Sequence, residues 1–286
     1  MIKLIATDMD GTLLNKNREI SWGNLKALRY AKSKGVSLAI ATGRAFFDVR
    51  HLMREADIDT HIIGTNGATI HSSDGKLLGA DYLDQEDALK LIAELANQHF
   101  YIGVYTENHI YVPESGTDWL YQELNRLHIH EDRSVGFQGA TRDAFYRTFS
   151  DWHELEKTGA DFYKVIIFSY DDEKLQRARK KFEEQHRFSI VSSGIGNFEI
   201  MARNVSKGNA LDHLAHYLGI SLDEIMAIGD NYNDLSMFEV AGLSVAMGNA
   251  DRDIKMCCDR ETLDCQDDGV AHAIYEALGA SDSSRL

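Results

Sequence analysis

Three short apolar runs near the N-terminus, each followed by a polar or glycine-rich turn, constrain the fold of this chain most strongly. The runs cover residues 2–7, 36–41 and 61–63, and amphipathic helical patterns separate them. Apolar runs that alternate with helices predict a parallel sheet buried on both faces. The turns at the carboxyl ends of such strands meet at one edge of the sheet, where ligands bind. We therefore predict an α/β fold with a doubly wound parallel sheet and a site at that edge.

Two acidic residues follow the first run directly, in the segment Asp8-Met9-Asp10-Gly11-Thr12. Two carboxylates at the mouth of a site repel each other unless a cation or a shared proton relieves the repulsion. Gly11 allows the chain to turn away sharply because it has no Cβ atom. Taken alone, the segment also fits an ordinary Asp/Gly turn, so its interpretation depends on the other strand ends.

The ends of other elements carry groups that complement these acids. They are Thr42-Gly43-Arg44 after the second run, Lys207 at the start of a helix, and Asp230-Asn231-Tyr232-Asn233-Asp234 after the later run 225–229. Alone, these segments fit a helix cap, a surface lysine and an acidic turn. A lysine at a helix N-terminus favours an anion, but several carboxylates make a poor phosphate pocket without a hard cation. Mg²⁺ fits such a site.

The alternation of strand and helix changes after about residue 84, where a weak internal repeat begins. Each copy predicts a helix, a strand, a turn and a strand, first up to Val112 and again up to Ile200. Two such units can pair into one antiparallel sheet with helices on one face, although helix–hairpin units are common enough to resemble each other by coincidence. We predict a discontinuous catalytic core, residues 1–83 and 197–286, and an inserted α+β cap domain, residues 84–196, that sets substrate specificity.

Composition excludes several classes of partner. The formal net charge of −15 disfavours nucleic acid, because no basic stripe is available to neutralise phosphates, and it disfavours anionic membrane surfaces. No leader pattern and no apolar run of about 18 residues is present. The three cysteines lack metal-ligand spacing and indicate reduced thiols. We expect a cytoplasmic protein that is a monomer or a weak homodimer.

An ordered set of motifs resembles the haloacid dehalogenase superfamily of phosphatases, specifically its Cof-type branch. The resemblance runs nearly end to end and implies a Rossmann-like core with an inserted cap. The motifs that carry it are Asp8 to Thr12, Ala41 to Arg44, Thr65-Asn66-Gly67-Ala68, Ser206-Lys207-Gly208, Gly229 to Leu235, Ala246 to Ala250, and Asp268-Gly269-Val270.

The resemblance also implies a role for each site residue. Asp8 would be the nucleophile, and Asp10 the general acid and base. Mg²⁺ would be held by Asp8, by the backbone carbonyl of Asp10 and by Asp230. The implied phosphate-binding residues are Met9, Thr42, Gly43, Lys207 and Asn233, and the implied supporting residues are Asp234, Arg44, Asn66 and Gly67.

The function expected from these residues is hydrolysis of a small phosphorylated metabolite, with a sugar phosphate as the preferred class, through an aspartyl-phosphate. Two alternatives stay open. A phosphomutase would pass the phosphoryl group to another hydroxyl, and release of free phosphate without a bisphosphorylated activator would argue against it. A non-catalytic phosphometabolite-binding protein would have no need of Asp10.

Overall fold

The computed structural model describes residues 1–129 and 143–280. Its strands are β1 (Leu4–Thr7), β2 (Ser37–Ala41), β3 (His61–Gly64), β4 (Thr69–His71), β5 (Leu77–Ala80), β6 (Tyr101–Tyr105), β7 (Ile110–Pro113), β8 (Tyr146–Phe149), β9 (Lys164–Phe168), β10 (Phe188–Val191), β11 (Asn197–Ala202), β12 (Ile225–Gly229), β13 (Leu243–Ala246) and β14 (Arg260–Glu261). Its α-helices are α1 (Trp22–Ser33), α2 (Phe46–Glu55), α3 (Gln85–Asn97), α4 (Gly116–Arg126), α5 (His153–Lys157), α6 (Asp172–Glu183), α7 (Lys207–Leu218), α8 (Leu235–Val240), α9 (Arg252–Lys255) and α10 (Gly269–Ala277). Within these ranges, no helix combines the length and the apolar character that a membrane crossing requires. The sequence also predicts a frayed tail from Ser281 onward, which lies outside the described residues.

The chain divides into two compact units. The first unit is formed by residues 1–79 and 206–286, and the second by residues 80–205. The predicted boundaries at 84 and 196 are therefore too narrow for the insert. The physical reason is β11, which pairs with β10 and β9 and so belongs to the second unit. The predicted boundary at 196 cut through the second copy of the repeat, which ends at Ile200.

The first unit contains an eight-stranded sheet in the order β14-β13-β12-β1-β2-β3-β4-β5. Pairing is parallel from β14 to β3 and antiparallel between β3 and β4. This sheet confirms the predicted α/β class. From β1 the chain continues to β2 on one side, whereas β12 lies on the other side. The strand order therefore reverses between β1 and β12, and α/β sheets bind ligands at such a reversal, beyond the carboxyl ends of the strands.

Helices cover both faces of this sheet because its central strands are apolar on both sides. Ile5 of β1 packs in a core with residues of α1, α2 and α10. Its neighbour Leu4 points to the opposite face and packs with residues of α7, α8 and α9. Ser21 caps α1 by accepting a hydrogen bond from the backbone N–H of Asn24, which is the usual role of serine at that position.

The second unit is built around a six-stranded sheet in the order β10-β11-β9-β6-β7-β8. Both copies of the predicted repeat are present, as α3-β6-β7 and α6-β10-β11. The two hairpins do not pair with each other, because β9 lies between them, and β8 adds a parallel strand to β7. Residues of α3, α5 and α6 pack on one face of the sheet, as the repeat predicted.

The buried imidazole of His71 makes the stability of the first unit sensitive to acid. Its ring stacks on Phe46 with 3.6 Å between the ring centroids. Burial, and then the positive charge of Arg50, lower the pKa of His71 to about 4. In the unfolded chain histidine titrates near about 6.5. This contribution to stability is therefore fully present above about pH 6.5 and is lost as the pH falls toward 4.

We expect His71→Phe to flatten the dependence of the unfolding free energy on pH between about 6.5 and 4, by up to about 1.4 kcal/mol per pH unit. Phenylalanine keeps the aromatic stack but cannot take up a proton. Chemical unfolding at a series of pH values measures the slope, and His216→Gln at an exposed position of α7 should keep the wild-type slope. An unchanged slope in His71→Phe would assign the acid sensitivity to another group.

Candidate functional site

A buried ion-pair cluster lies at the carboxyl end of β1. The ammonium of Lys207 lies 2.7 Å from Oδ1 of Asp8 and 2.6 Å from Oδ1 of Asp234. Asp8 follows β1, and Lys207 is the first residue of α7, after the N-cap Ser206. Lys207 is 1% exposed, and the two carboxylates raise its pKa despite the burial, which acts in the opposite direction. The lysine is therefore charged and fixed between two acids.

The turn after β12 is folded around Asp234. Its Oδ2 atom accepts hydrogen bonds from the backbone N–H groups of Asp230 and Asn231, both at 3.0 Å. Gly229 is required beside it, since a Cβ atom there would lie 2.5 Å from Oδ2 of Asp234. Asp234 thus shapes the turn and binds Lys207 with its other oxygen.

A second glycine brings the turn after β1 close to the turn after β12. Gly11 has a φ of +79°, and a Cβ atom there would lie 2.5 Å from Oδ2 of Asp230. Thr12 donates its hydroxyl proton to Oδ1 of Asp230 at 3.0 Å. The Asp8-to-Thr12 segment and Asp230 therefore fit together only with glycine at position 11.

Three carboxylates in this cluster have the geometry and charge of a divalent-cation site. Ligand oxygens of Asp8, Asp230 and Asp234 lie within 4.8 Å of one another. With Lys207 as their cation, the four groups carry two excess negative charges when all three carboxylates are ionised. Burial and then mutual repulsion raise the pKa of Asp230 to about 6, and burial raises the pKa of Asp8 above its usual range. Mg²⁺ prefers carboxylate oxygens, and its charge would neutralise this set.

The Asp10 carboxylate lies outside this cluster and is paired with Arg44. Arg44 donates from Nε and Nη2 to the two carboxylate oxygens of Asp10 at 2.7 and 2.5 Å. Its Nη1 donates to the buried Asp48 at 2.9 Å. Burial would raise the pKa of Asp10, but the hydrogen bonds and charge of Arg44 outweigh it, and the pKa is lowered. Only the backbone of Asp10 is left for the metal contact expected from the sequence.

A strained turn after β3 contacts two further residues predicted for the site, Thr42 and Asn233. Thr65, Asn66 and Gly67 all have positive φ angles, of 55°, 58° and 104°. The backbone N–H of Asn66 donates to the carbonyl of Thr42 at 2.9 Å, and its side-chain oxygen accepts from Nδ2 of Asn233 at 3.2 Å. Strain of this kind is concentrated at functional sites. The turn therefore connects the segments after β2, β3 and β12.

Two further predicted residues have restricted roles. The side chain of Met9 is fully buried in the apolar core, so only its backbone is available to bind phosphate. A Cβ atom on Gly43 would lie 3.1 Å from Oδ1 of Asn66. The position after Thr42 is thus close to the strained turn and leaves little room for a side chain.

Sequence reasoning missed three polar residues that contact the predicted ones. They are Thr12, Asp48 and Asn249, whose Nδ2 donates to the carbonyl of Gly11 at 2.8 Å. Thr12 could have been found from its place in the first motif. Asp48 gave no such signal, because an acid in the first turn of a helix is common and is explained by the helix dipole.

Comparison with known proteins gives a consistent result. A model of the haloacid dehalogenase-like hydrolase family matches residues 5–274. The chain is 39% identical to the phosphatase YwpJ of Bacillus subtilis over 97% of this chain and 100% of the relative. It is 37% identical to the 5-amino-6-(5-phospho-D-ribitylamino)uracil phosphatase YwtE of the same organism, over 97% of this chain and 98% of the relative. A solved haloacid dehalogenase-like hydrolase from B. subtilis superposes with a TM-score of 0.84 and 38% identity, covering 96% of this chain and 99% of that one.

We expect Mg²⁺ to raise the melting temperature of the protein by several degrees at saturating concentration, because a ligand that binds only the folded state stabilises it. Asp230→Asn should abolish this increase. It should also raise the melting temperature of the metal-free protein, since it removes one of three repelling carboxylates. Thermal unfolding with and without Mg²⁺ measures both effects, and Asp212→Asn, at an exposed site on α7, is the control. A full Mg²⁺ response in Asp230→Asn would place the cation elsewhere.

Proposed function

Because the chain belongs to the haloacid dehalogenase-like hydrolase family, in its Cof-type branch, we propose that it is a Mg²⁺-dependent phosphatase that hydrolyses a small phosphorylated metabolite through an aspartyl-phosphate. The observation that carries this proposal is the cluster at the reversal of the sheet. There the ammonium of Lys207 contacts Asp8 beside two further carboxylates. Asp10, two residues along the chain, is paired with Arg44. The relatives compared above are phosphatases.

In the first step, a carboxylate oxygen of Asp8 attacks phosphorus and the bond from phosphorus to the leaving oxygen breaks. Lys207 fixes the orientation of Asp8 through the 2.7 Å contact to Oδ1. Asp10 gives its proton to the leaving oxygen, which departs as an alcohol. For this step Asp10 must carry a proton, so its ion pair with Arg44 has to loosen when substrate binds.

In the second step, Asp10 acts as a base. As a carboxylate it takes a proton from water, whose oxygen attacks the phosphorus of the aspartyl-phosphate. Inorganic phosphate leaves and the carboxylate of Asp8 is restored. Arg44 stabilises the carboxylate form of Asp10, which is the form that this step requires.

Asp8, Asp230 and the backbone of Asp10 would hold the cation. When bound, Mg²⁺ supplies positive charge that reduces the repulsion between the nucleophile and the anionic phosphate. Lys207, Thr42, Gly43, Asn233 and the backbone of Met9 would bind phosphoryl oxygens. Asp234 supports this arrangement because it fixes Lys207 and the turn after β12 at the same time.

The proposed substrate is a small phosphorylated metabolite, with sugar and sugar-alcohol phosphates as the preferred class. This preference is supported by the relative named for 5-amino-6-(5-phospho-D-ribitylamino)uracil, which carries phosphate on a sugar alcohol. A panel that includes this compound, screened for release of inorganic phosphate, would identify the class. Release without a bisphosphorylated activator would distinguish the phosphatase from a phosphomutase. The cytoplasmic location and the monomeric or weakly dimeric state stay predictions from the sequence.

We expect Asp8→Asn to abolish turnover, because an amide is a poor nucleophile. Asp10→Asn should lower kcat by about 10²- to 10⁴-fold, the usual contribution of general acid–base catalysis. Steady-state phosphate release measures both, and circular dichroism confirms that the variants are folded. A loss well below tenfold in Asp10→Asn would contradict its assigned role.

We further propose that the second unit sets the choice of substrate. On its sheet, Lys164 and Glu199 form a buried ion pair at 2.9 Å, and Nζ of Lys164 lies 4.2 Å from the ring centre of Tyr105. The register places these residues on the face opposite to the helix-covered core. A buried ion pair contributes little to stability compared with apolar residues, so we infer that this charged pair serves recognition of a hydroxyl-rich group.

We expect a chimera in which residues 80–205 are replaced by the matching segment of the ribitylaminouracil-phosphate phosphatase to acquire the substrate profile of that relative. It should still depend on Mg²⁺ and on Asp8, since both belong to the first unit. Initial rates over the substrate panel measure the profile, and Asp8→Asn in the chimera is the control. An unchanged profile in a folded chimera would place specificity in the first unit, at Arg44 and Asn66.

A further inference from the structure

The first unit contains a buried carboxylate that the proposed chemistry does not use. Asp48 lies in the first turn of α2 and is 0% exposed. It accepts a hydrogen bond from Nη1 of Arg44 at 2.9 Å. Burying a carboxylate is costly unless it is paired, and the ion pair with Arg44 offsets part of this cost.

Arg44 forms hydrogen bonds on several sides, and its ion pair with Asp10 lies on its more exposed side. Its backbone N–H donates to the hydroxyl of Thr42 at 3.3 Å, and its carbonyl accepts from the N–H of Thr65 at 2.8 Å. The side chain of Arg44 is 6% exposed, whereas that of Asp10 is 50% exposed. The guanidinium is planar and presents its donors in a fixed geometry. A contact that fixes one edge of the plane therefore fixes the direction of the other edge.

We propose that Asp48 is a positioning residue for proton transfer, acting through Arg44 on Asp10. The inference rests on the proposed role of Asp10. Asp48 anchors the guanidinium of Arg44 from the buried side. Arg44 therefore stays in place when Asp10 turns toward the substrate, and it can pair with Asp10 again after the proton transfer. Without this anchor, Asp10 becomes the main partner of the Arg44 guanidinium, and the two move together. A displacement of about 1 Å at a reacting group can cost about 100-fold in rate.

The first test compares kcat with KM in two Asp48 variants. We expect Asp48→Ala to lower kcat by about 100-fold and Asp48→Asn, which keeps an accepting oxygen but loses the charge, by about tenfold. KM should stay within about twofold, because the phosphate-binding residues are unchanged. If the alanine variant does not fold, the asparagine variant alone carries this comparison.

Glu55→Ala is the matched control. Glu55 lies on the same helix and also contacts a residue four positions away, with 3.1 Å between its Oε1 and Nε2 of His51. Glu55 is the last residue of α2, at the opposite end from Asp48, and its side chain is exposed, so we expect wild-type kcat. A purely structural role of Asp48 would change the melting temperature of the variants and leave kcat of the folded protein unaltered, which would overturn the proposal.

A double-mutant cycle with Arg44 supplies a second test. If Asp48 acts only through Arg44, then Asp48→Asn should have no further effect on kcat in the Arg44→Gln background. If the double variant instead loses kcat by the product of the two single-variant losses, the proposal is overturned. Asp10→Asn separates this inference from the proposed function. Wild-type activity in Asp10→Asn contradicts the proposed function itself, whereas an inactive Asp10→Asn together with a fully active Asp48→Asn contradicts only the positioning role.

Discussion

The arrangement of the first unit depends on one buried cation, the ammonium of Lys207. A lysine that is 1% exposed would lose its charge or destabilise the fold if it had no anionic partner. Asp8 and Asp234 supply these partners from two different strand ends. Removing both carboxylates would leave a buried charge without its counter-ions, at a cost on the order of 3–5 kcal/mol. The same ion pairs orient the carboxylate proposed as the nucleophile, so stability and chemistry depend on the same contact.

Close approach of the backbone allows these strand ends to meet. A Cβ atom on Gly67 would lie 2.2 Å from the carbonyl of Ser206, and one on Gly208 would lie 2.0 Å from the carbonyl of Ser236. These two glycines bring the start of α7 against the turn after β3 and against α8. They thereby determine where Lys207 enters the cluster. The positive φ angles of Thr65 and Asn66 are tolerated because hydrogen bonds on both sides fix that turn.

Two carboxylates that are close in sequence have opposite environments. Asp8 is surrounded by other acids as well as by Lys207, and its pKa is raised, first by burial. Asp10 is bound by Arg44, and its pKa is lowered. These shifts are opposite to those that a carboxylate nucleophile and a general acid require, so the proposed mechanism needs a bound cation to lower the pKa of Asp8 and a loosened Arg44 contact to raise that of Asp10. The difference arises because successive turns of the chain direct the two side chains to different partners.

The sequence by itself determined the parallel sheet, the strand ends that carry polar groups, and the helices whose apolar positions repeat at helical spacing. These features are local, because the spacing of apolar residues within a strand or helix indicates which of its faces is buried. The sequence could not reveal that β9 separates the two hairpins of the second unit, and although the predicted repeat reached Ile200, the sequence did not place the domain boundary after β11. Both facts depend on pairing between strands that are distant in sequence. The apolar residues of a buried strand do not specify which other strand it pairs with. The sequence also assigned Arg44 and Asp10 to the site but gave no indication of Asp48. Only the tertiary structure showed that Asp48, in the first turn of α2, binds the guanidinium of Arg44, which in turn binds Asp10. That contact depends on which face of α2 is buried against the site.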